Sequence, residues 1–168
     1  VIIDKAIESG VELFGICDNG HGIGRRKREY SELINSLKKE YEGKIKLLCG
    51  IEIPVKPEVY DIKEEEYALF DYCLIENPDE EDRISAKDLF GFLSAIKIKK
   101  GIAHTDLFRA ADRMNMPYDE FFKKLAESGT FWEMNISYDS IHHYREHEYF
   151  KRFFESEEHM KAWLIKVT

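Results

Sequence analysis

Carboxylate and imidazole side chains recur at or near the end of each apolar segment of this sequence. In chain order, the candidates for chemistry are Asp18, His21, Glu52, Glu76, His104, Asp106 and Glu133. Histidine and carboxylate groups held on a rigid scaffold are ligands that zinc, manganese and iron take in proteins. Such ions activate water and neutralise the charge of a phosphate group, so these residue types indicate metal-dependent hydrolysis.

Two of these carboxylates are harder to explain by structure alone than the others. Asp18 suits a turn, and Asp106 suits the position just before a helix, where a carboxylate caps backbone N–H groups. Glu52 and Glu133 lie inside apolar segments, where a buried carboxylate without a partner is costly. Each of these positions, taken alone, has a plain structural explanation. A carboxylate or imidazole at every strand end, however, favours a functional site.

The elements that must position these residues alternate along the chain. The predicted strands cover residues 12–17, 45–55, 68–75, 101–103 and 131–136. The predicted helices cover residues 2–9, 25–41, 85–96, 107–114 and 118–128, with Ser85 as an N-cap, and residues from 140 onward are also expected to be helical. Apolar strands separated by helices predict an α/β fold with a parallel sheet covered on both faces.

Two architectures fit this order of elements. One is an open α/β sheet, and the other is a broken β/α barrel, since a complete barrel typically needs about 200 residues or more and the chain has 168. In both architectures the functional residues gather at the carboxyl ends of the strands. We therefore expect the candidate side chains to meet at that edge of the sheet.

Short motifs around the strands occur in a characteristic order. The chain reads Glu8-Ser9-Gly10 before the first strand and Asp18-Asn19 after it, then Gly50-Ile51-Glu52, Phe70-Asp71-Tyr72, Ile102-Ala103-His104 and Glu133-Met134-Asn135. The order and spacing of these motifs, over residues 1–137, resemble those of the PHP (polymerase and histidinol phosphatase) superfamily of metal-dependent phosphoesterases. The resemblance implies a distorted or incomplete (β/α)7 barrel of parallel strands that occupies residues 1–168 as a single domain.

The resemblance also implies roles for individual residues. Glu52 and His104 match the metal ligands of the family, and Asp18 and Glu76 are ligand candidates of second rank. His21, Asp106 and Glu133 would be further ligands or would orient the ligands. A complete site of this type would hold two or three divalent ions, and water activated by them would hydrolyse a small phosphorylated substrate.

The chain departs from the family pattern at three places. Asn19 stands where the family has a histidine, and asparagine is a poor zinc ligand. The opening His-x-His motif and the closing Asp-x-His motif are absent, so we expect the first and last barrel strands to be missing. Either segments of an active enzyme are omitted, or the protein is a catalytically inactive PHP-like binding or regulatory domain. An unrelated amidohydrolase-like α/β enzyme is a third interpretation.

Composition narrows the classes of partner. The net charge of −8 makes a nucleic-acid partner unfavourable, because phosphate backbones attract basic surfaces. No apolar run approaches the length of a membrane span. Cys17, Cys49 and Cys73 match no zinc or redox motif, so we expect buried, reduced thiols in a cytoplasmic protein. The sequence does not indicate an oligomeric state.

Two basic or imidazole clusters admit either a functional or a structural role. Arg25 and Arg26 open a helix, where positive charge opposes the helix dipole, so they could bind a phosphorylated substrate or pair with nearby glutamates. His143 and His147 share one face of a predicted helix and could bind a metal, although a solvated helix explains them more simply.

Overall fold

The computed structural model of the protein describes residues 2–54, 67–78, 88–133 and 151. Five parallel strands form one sheet in sequence order: β1 (Leu13–Asn19), β2 (Lys46–Pro54), β3 (Tyr72–Glu76), β4 (Lys99–Ala103) and β5 (Thr130–Trp132). The helices are α1 (Ile2–Glu8), α2 (Gly20–Ile23), α3 (Lys27–Glu40), α4 (Leu89–Ala95), α5 (Leu107–Arg113) and α6 (Tyr118–Glu127), and a 3₁₀ turn at Gly24–Arg26 joins α2 to α3.

The main core lies on one face of the sheet. Because each strand pairs with the next one along the chain, every crossover steps in the same direction, and right-handed crossovers then place their helices on the same face. The strand residues of this face are almost fully buried: Cys49, Ile51, Cys73, Ile75 and Ile102. They pack against apolar side chains of α3 to α6, among them Ile34, Phe92, Leu107 and Phe121.

The opposite face of the sheet is built differently. It pairs glycines with aromatic rings, since the phenol of Tyr72 lies over Gly15 and Gly50, and the ring of Phe131 lies over Gly101. A Cβ at Gly15 would come within 2.6 Å of the Tyr72 hydroxyl, so a side chain at this position would force the phenol of Tyr72 to move. Tyr72 and Phe131 are only half-buried. Among the described residues, the helices therefore cover one face of the sheet rather than the two predicted from sequence.

The α/β class and the parallel pairing are confirmed, with differences at the ends of elements. The predicted strand 68–75 begins only at Tyr72, because residues 67–70 form a turn closed by a hydrogen bond from the Phe70 N–H to the Tyr67 carbonyl (3.0 Å). The N-cap of α4 is Asp88, which accepts the Gly91 N–H at 2.9 Å. The predicted cap Ser85, the helix from 140 onward, and His143 and His147 all lie outside the described residues.

Candidate metal centre

Three strands deliver a potential metal ligand to one point at the carboxyl edge of the sheet. Glu52 lies near the end of β2, Glu76 is the last residue of β3, and His104 directly follows β4. One ligand atom from each of these side chains lies within 4.8 Å of the other two. The parallel register produces this convergence, because Glu76 is level with Ala103, the residue before His104.

His104 is held by two carboxylates on opposite sides of its ring. Its Nε2 lies 3.4 Å from Oε1 of Glu52, and its Nδ1 lies 3.6 Å from Oε2 of Glu133. The backbone N–H of His104 also donates to Oε2 of Glu133 at 3.3 Å. The backbone of His104 has a φ of 52°, a left-handed conformation that is uncommon for a residue with a side chain and is often found at functional sites.

In the part of the chain that the structure describes, no lysine or arginine is paired with either of the two carboxylates of the cluster, Glu52 and Glu76. Among the described residues, the only ion-pair contact of Glu52 is with the imidazole of His104. Burial raises the pKa of Glu76, and the negative charge of Glu52 raises it further. His104 and a hydrogen bond from Asn19 lower it without reversing the shift. The cluster is therefore an electronegative point at which a cation would relieve repulsion.

Asn19 and Cys17 complete this face of the cluster. Asn19, level with Glu52 in the sheet, donates from Nδ2 to Oε2 of Glu76 at 3.3 Å and to Oε2 of Glu52 at 3.5 Å. Cys17 lies two residues before Asn19 in β1, so the two side chains lie on the same face of the sheet. Burial, with a contribution from the charge of Glu52, raises the pKa of the Cys17 thiol to about 12. The thiol is thus protonated at neutral pH in the metal-free protein, and Cys17 is not among the residues whose ligand atoms group together.

The structure does not bring Asp18 and His21 into the cluster. Asp18 alternates with Asn19 along β1, so it belongs to the opposite face; it is exposed and accepts the N–H of Asn19 at 2.8 Å. His21 is exposed in α2, where its backbone N–H donates to the side chain of Asn19.

Three other candidates also lie apart from the ligands. Asp106 is buried and caps α5, accepting the N–H of Arg109 at 2.9 Å, which is the structural role expected of it. Arg25 and Arg26 are exposed in the 3₁₀ turn. Arg26 lines a surface cavity of about 460 Å³ together with Asp18 and Glu29, away from Glu52 and Glu76.

The contact between Asn19 and the two glutamates was not predicted. Sequence reasoning treated Asn19 only as the loss of a histidine ligand. A local signal was present, because asparagine before Gly20 at the end of a strand is a typical helix N-cap. That signal fixes the direction of the side-chain oxygen, and hence of the amide nitrogen, but it does not reveal which acceptors lie beyond it.

The fold and the cluster define a class: a parallel α/β protein with a carboxylate–imidazole cluster at the carboxyl edge of its sheet. Comparison of the chain with protein-family models, with curated proteins and with solved structures finds no match. Within the described part of the chain, none of the helices has the length and apolar character required to traverse a bilayer.

Proposed function

We propose that this protein is a metal-dependent phosphoesterase of the PHP type, which hydrolyses a small phosphate ester with metal-activated water. The observation that carries the proposal is the convergence of Glu52, Glu76 and His104, with ligand atoms within 4.8 Å of one another. Glu52 and Glu76 lie in neighbouring strands and His104 directly follows the next, so the sheet sets the spacing of the three side chains. Glu52 and Glu76 repel each other at this distance, and a bound cation would relieve that repulsion.

The donor set fits a single divalent ion. Zinc binds both imidazole nitrogen and carboxylate oxygen, and manganese and iron accept the same types of donor. Three protein ligands leave a position open for water or substrate. A bound ion at this point would supply a water of lowered pKa and positive charge for the phosphate oxygens.

The surrounding residues have roles of their own in this proposal. Glu133 contacts Nδ1 of His104, which fixes the ring so that Nε2 faces Glu52 and the ligand position. His104 and Glu52 are only 23% and 18% exposed, so the ligands are shielded from competing water while remaining accessible. Asp106 caps the helix that follows His104.

The architecture supports the same proposal. Strands in sequence order with their helices on one face are the arrangement of an arc of a β/α barrel, and we propose that the sheet is part of a distorted or incomplete (β/α)7 barrel. The half-buried face with Tyr72 and Phe131 would be its interior. The specific motifs quoted above are the remaining support for a PHP relationship.

A second candidate function is a catalytically inactive PHP-like binding or regulatory domain. The observation that favours it is Asn19, whose amide nitrogen rather than a ligand atom faces Glu52 and Glu76. The two functions differ in whether a bound ion is accompanied by hydrolysis.

The test is metal stoichiometry together with hydrolysis of p-nitrophenyl phosphate, a generic phosphate ester. After chelation and reloading with Mn²⁺ or Zn²⁺, we expect about one ion per chain, as for a three-ligand site, and hydrolysis that requires it. Glu52→Gln and His104→Ala are expected to lose the ion and the activity while keeping the circular dichroism of the wild type. Asp18→Asn, one residue from Asn19 but on the other face, is the matched control and should keep both.

The possible results separate the candidates. Metal binding without hydrolysis supports the binding domain instead of the enzyme. A wild-type protein that binds neither ion, or variants that keep full occupancy, would contradict the ligand assignment.

A further inference from the structure

The side chain of Asn19 has a defined orientation. Its Oδ1 accepts hydrogen bonds from the backbone N–H groups of His21 (2.9 Å) and Gly22 (3.2 Å), which makes it the N-cap of α2. The opposite orientation would place an NH₂ group against two N–H donors and an oxygen against two carboxylates. Both contacts would be repulsive, so the hydrogen-bond network determines which end of the amide faces the cluster.

The amide nitrogen therefore faces two acceptors. Nδ2 donates to Oε2 of Glu76 at 3.3 Å and to Oε2 of Glu52 at 3.5 Å. Burial raises the pKa of Glu76, and the negative charge of Glu52 raises it further, so the two carboxylates repel each other where the amide meets them. A neutral donor shared by two negative groups lowers the cost of keeping them adjacent, because hydrogen bonds to ionised acceptors are the stronger ones.

The hydrogen bond from Asn19 uses one carboxylate oxygen of Glu52 and leaves the other oxygen available to bind an ion. Oε2 of Glu52 faces Asn19, whereas Oε1 faces Nε2 of His104 at 3.4 Å. Asn19 cannot supply its own oxygen to an ion without breaking the cap of α2, because both N–H groups of the cap bind that oxygen. The amide is thus excluded from coordination and restricted to donation.

We propose that Asn19 is a positioning residue of the metal centre. Its amide, oriented by the first turn of α2, holds Glu52 and Glu76 side by side, so that an ion enters between these carboxylates and His104. This inference rests on the proposed metal binding. It adds that Asn19, which stands where the PHP family has a histidine, acts here as a hydrogen-bond donor.

The first test is Asn19→Ser, which keeps a capping oxygen but is too short to reach either glutamate. We expect the affinity for Co²⁺ to fall about 10-fold, as for loss of a residue that orients ligands. The visible absorption bands of the bound Co²⁺ should stay at the same wavelengths, because the ligands are unchanged. Asp88→Ser, a matched exchange at the N-cap of α4, should leave the affinity unchanged.

The second test needs no metal. In chelator-treated protein, Asn19→Ser should lower the Tm by about 3 °C, and should cause a clearly smaller loss when it is combined with Glu76→Gln. The difference arises because the amide then has only one ionised acceptor to hold. A Tm loss that is equal in the two backgrounds means that the amide does not hold the carboxylates, and it overturns the inference.

The two tests keep the inference and the proposed function distinguishable. If the wild type binds no Co²⁺, the metal proposal fails, and the Tm comparison alone decides whether the amide pairs the glutamates. If the wild type binds Co²⁺ and Asn19→Ser binds it equally well, metal binding stands and the positioning role is wrong. A shift of the absorption bands in Asn19→Ser would show that Asn19 is itself a ligand, and would also contradict the inference.

Discussion

A carboxylate stands at each end of strand β3, and the charged groups around these two carboxylates are of opposite kinds. Asp71, just before the strand, accepts hydrogen bonds from Nζ of Lys38 (2.5 Å) and from the backbone N–H of Cys49 (2.7 Å). Glu76, at the other end, faces Glu52, and its favourable neighbours among the described residues are the amide of Asn19 and the imidazole of His104.

The pKa values of the two carboxyl groups reflect this difference. Burial raises the pKa of Asp71, but the hydrogen bonds from Lys38 and Cys49 outweigh it, and the pKa is lowered. Burial also raises the pKa of Glu76, and there the charge of Glu52 adds to the effect. The fold thus supplies a cation from α3 at the amino end of the sheet and leaves the carboxyl end to a cation from outside.

The largest expected effect of this contrast is stabilisation by metal. At a free Mn²⁺ concentration of 100 times its Kd, the free energy of unfolding should rise by about 2.7 kcal/mol, which raises the Tm by about 5–10 °C. The increase arises because the ion binds the folded cluster of Glu52, Glu76 and His104. Thermal unfolding of chelated and reloaded protein measures it.

Removal of one carboxylate from each end provides the control for this effect. Glu76→Gln should lose the metal-dependent increase in Tm, whereas Asp71→Asn should keep it, because Asp71 lies at the far end of the strand. An equal increase in all three proteins would mean that the ion binds elsewhere and that the two ends of β3 do not differ in function.

A smaller effect is expected on the stability of the metal-free protein. Asp71→Asn should lower the free energy of unfolding by about 1.5 kcal/mol, since it weakens a charged hydrogen bond and an ion pair that is partly screened by solvent. Glu76→Gln should raise it by about 0.5 kcal/mol, since it removes like-charge repulsion at a half-buried position. Denaturant unfolding in the presence of a chelator measures both changes. Destabilisation by both variants would contradict the comparison.

Much of the fold could be predicted from the sequence, because apolar runs of strand length alternate with amphipathic segments. The parallel sheet and the order of its helices follow from that pattern and from the handedness of crossovers. The start of β3 was harder to predict, since Leu69 and Phe70 are as apolar as the strand itself. What shortens the strand is the turn at residues 67–70; the next residue, Asp71, is held by contacts across the fold, with its N–H on the Cys49 carbonyl and its carboxylate on Lys38.

The site was predictable in part, for a reason that lies in the geometry of strands. The sequence places Glu52 toward the end of one predicted strand and Glu76 and His104 directly after two others, and parallel pairing brings such ends together. Whether Asp18 or Asn19 faces the same way depends on the register of β1, and a shift of one residue reverses the answer. The register places Asn19 level with Glu52, so the residue judged the poorer ligand is the one at the site.

The smallest expected effect is the order in which the two ends respond to acid in metal-free protein. The pKa of Asp71 is lowered below its usual value of 3.8. The stabilisation of the folded state by ionised Asp71 is therefore complete above pH 3.8. It is lost as the pH falls through the lowered pKa that Asp71 has in the folded protein. The pKa of Glu76 is raised above its usual value of 4.5. The stabilisation of the folded state by protonated Glu76 is therefore complete below pH 4.5, and it is lost as the pH rises through the raised pKa.

The stability differences between wild type and the two variants should consequently disappear in sequence during acidification. The advantage of Glu76→Gln should vanish first, while the pH is still above 4.5, because the wild-type Glu76 becomes neutral there. The deficit of Asp71→Asn should persist until the pH falls below 3.8, because the Lys38 partner keeps Asp71 ionised. Urea unfolding of the three metal-free proteins across this pH range measures both differences. The reverse order would mean that the carboxyl end of β3, rather than the amino end, already has its cation within the chain.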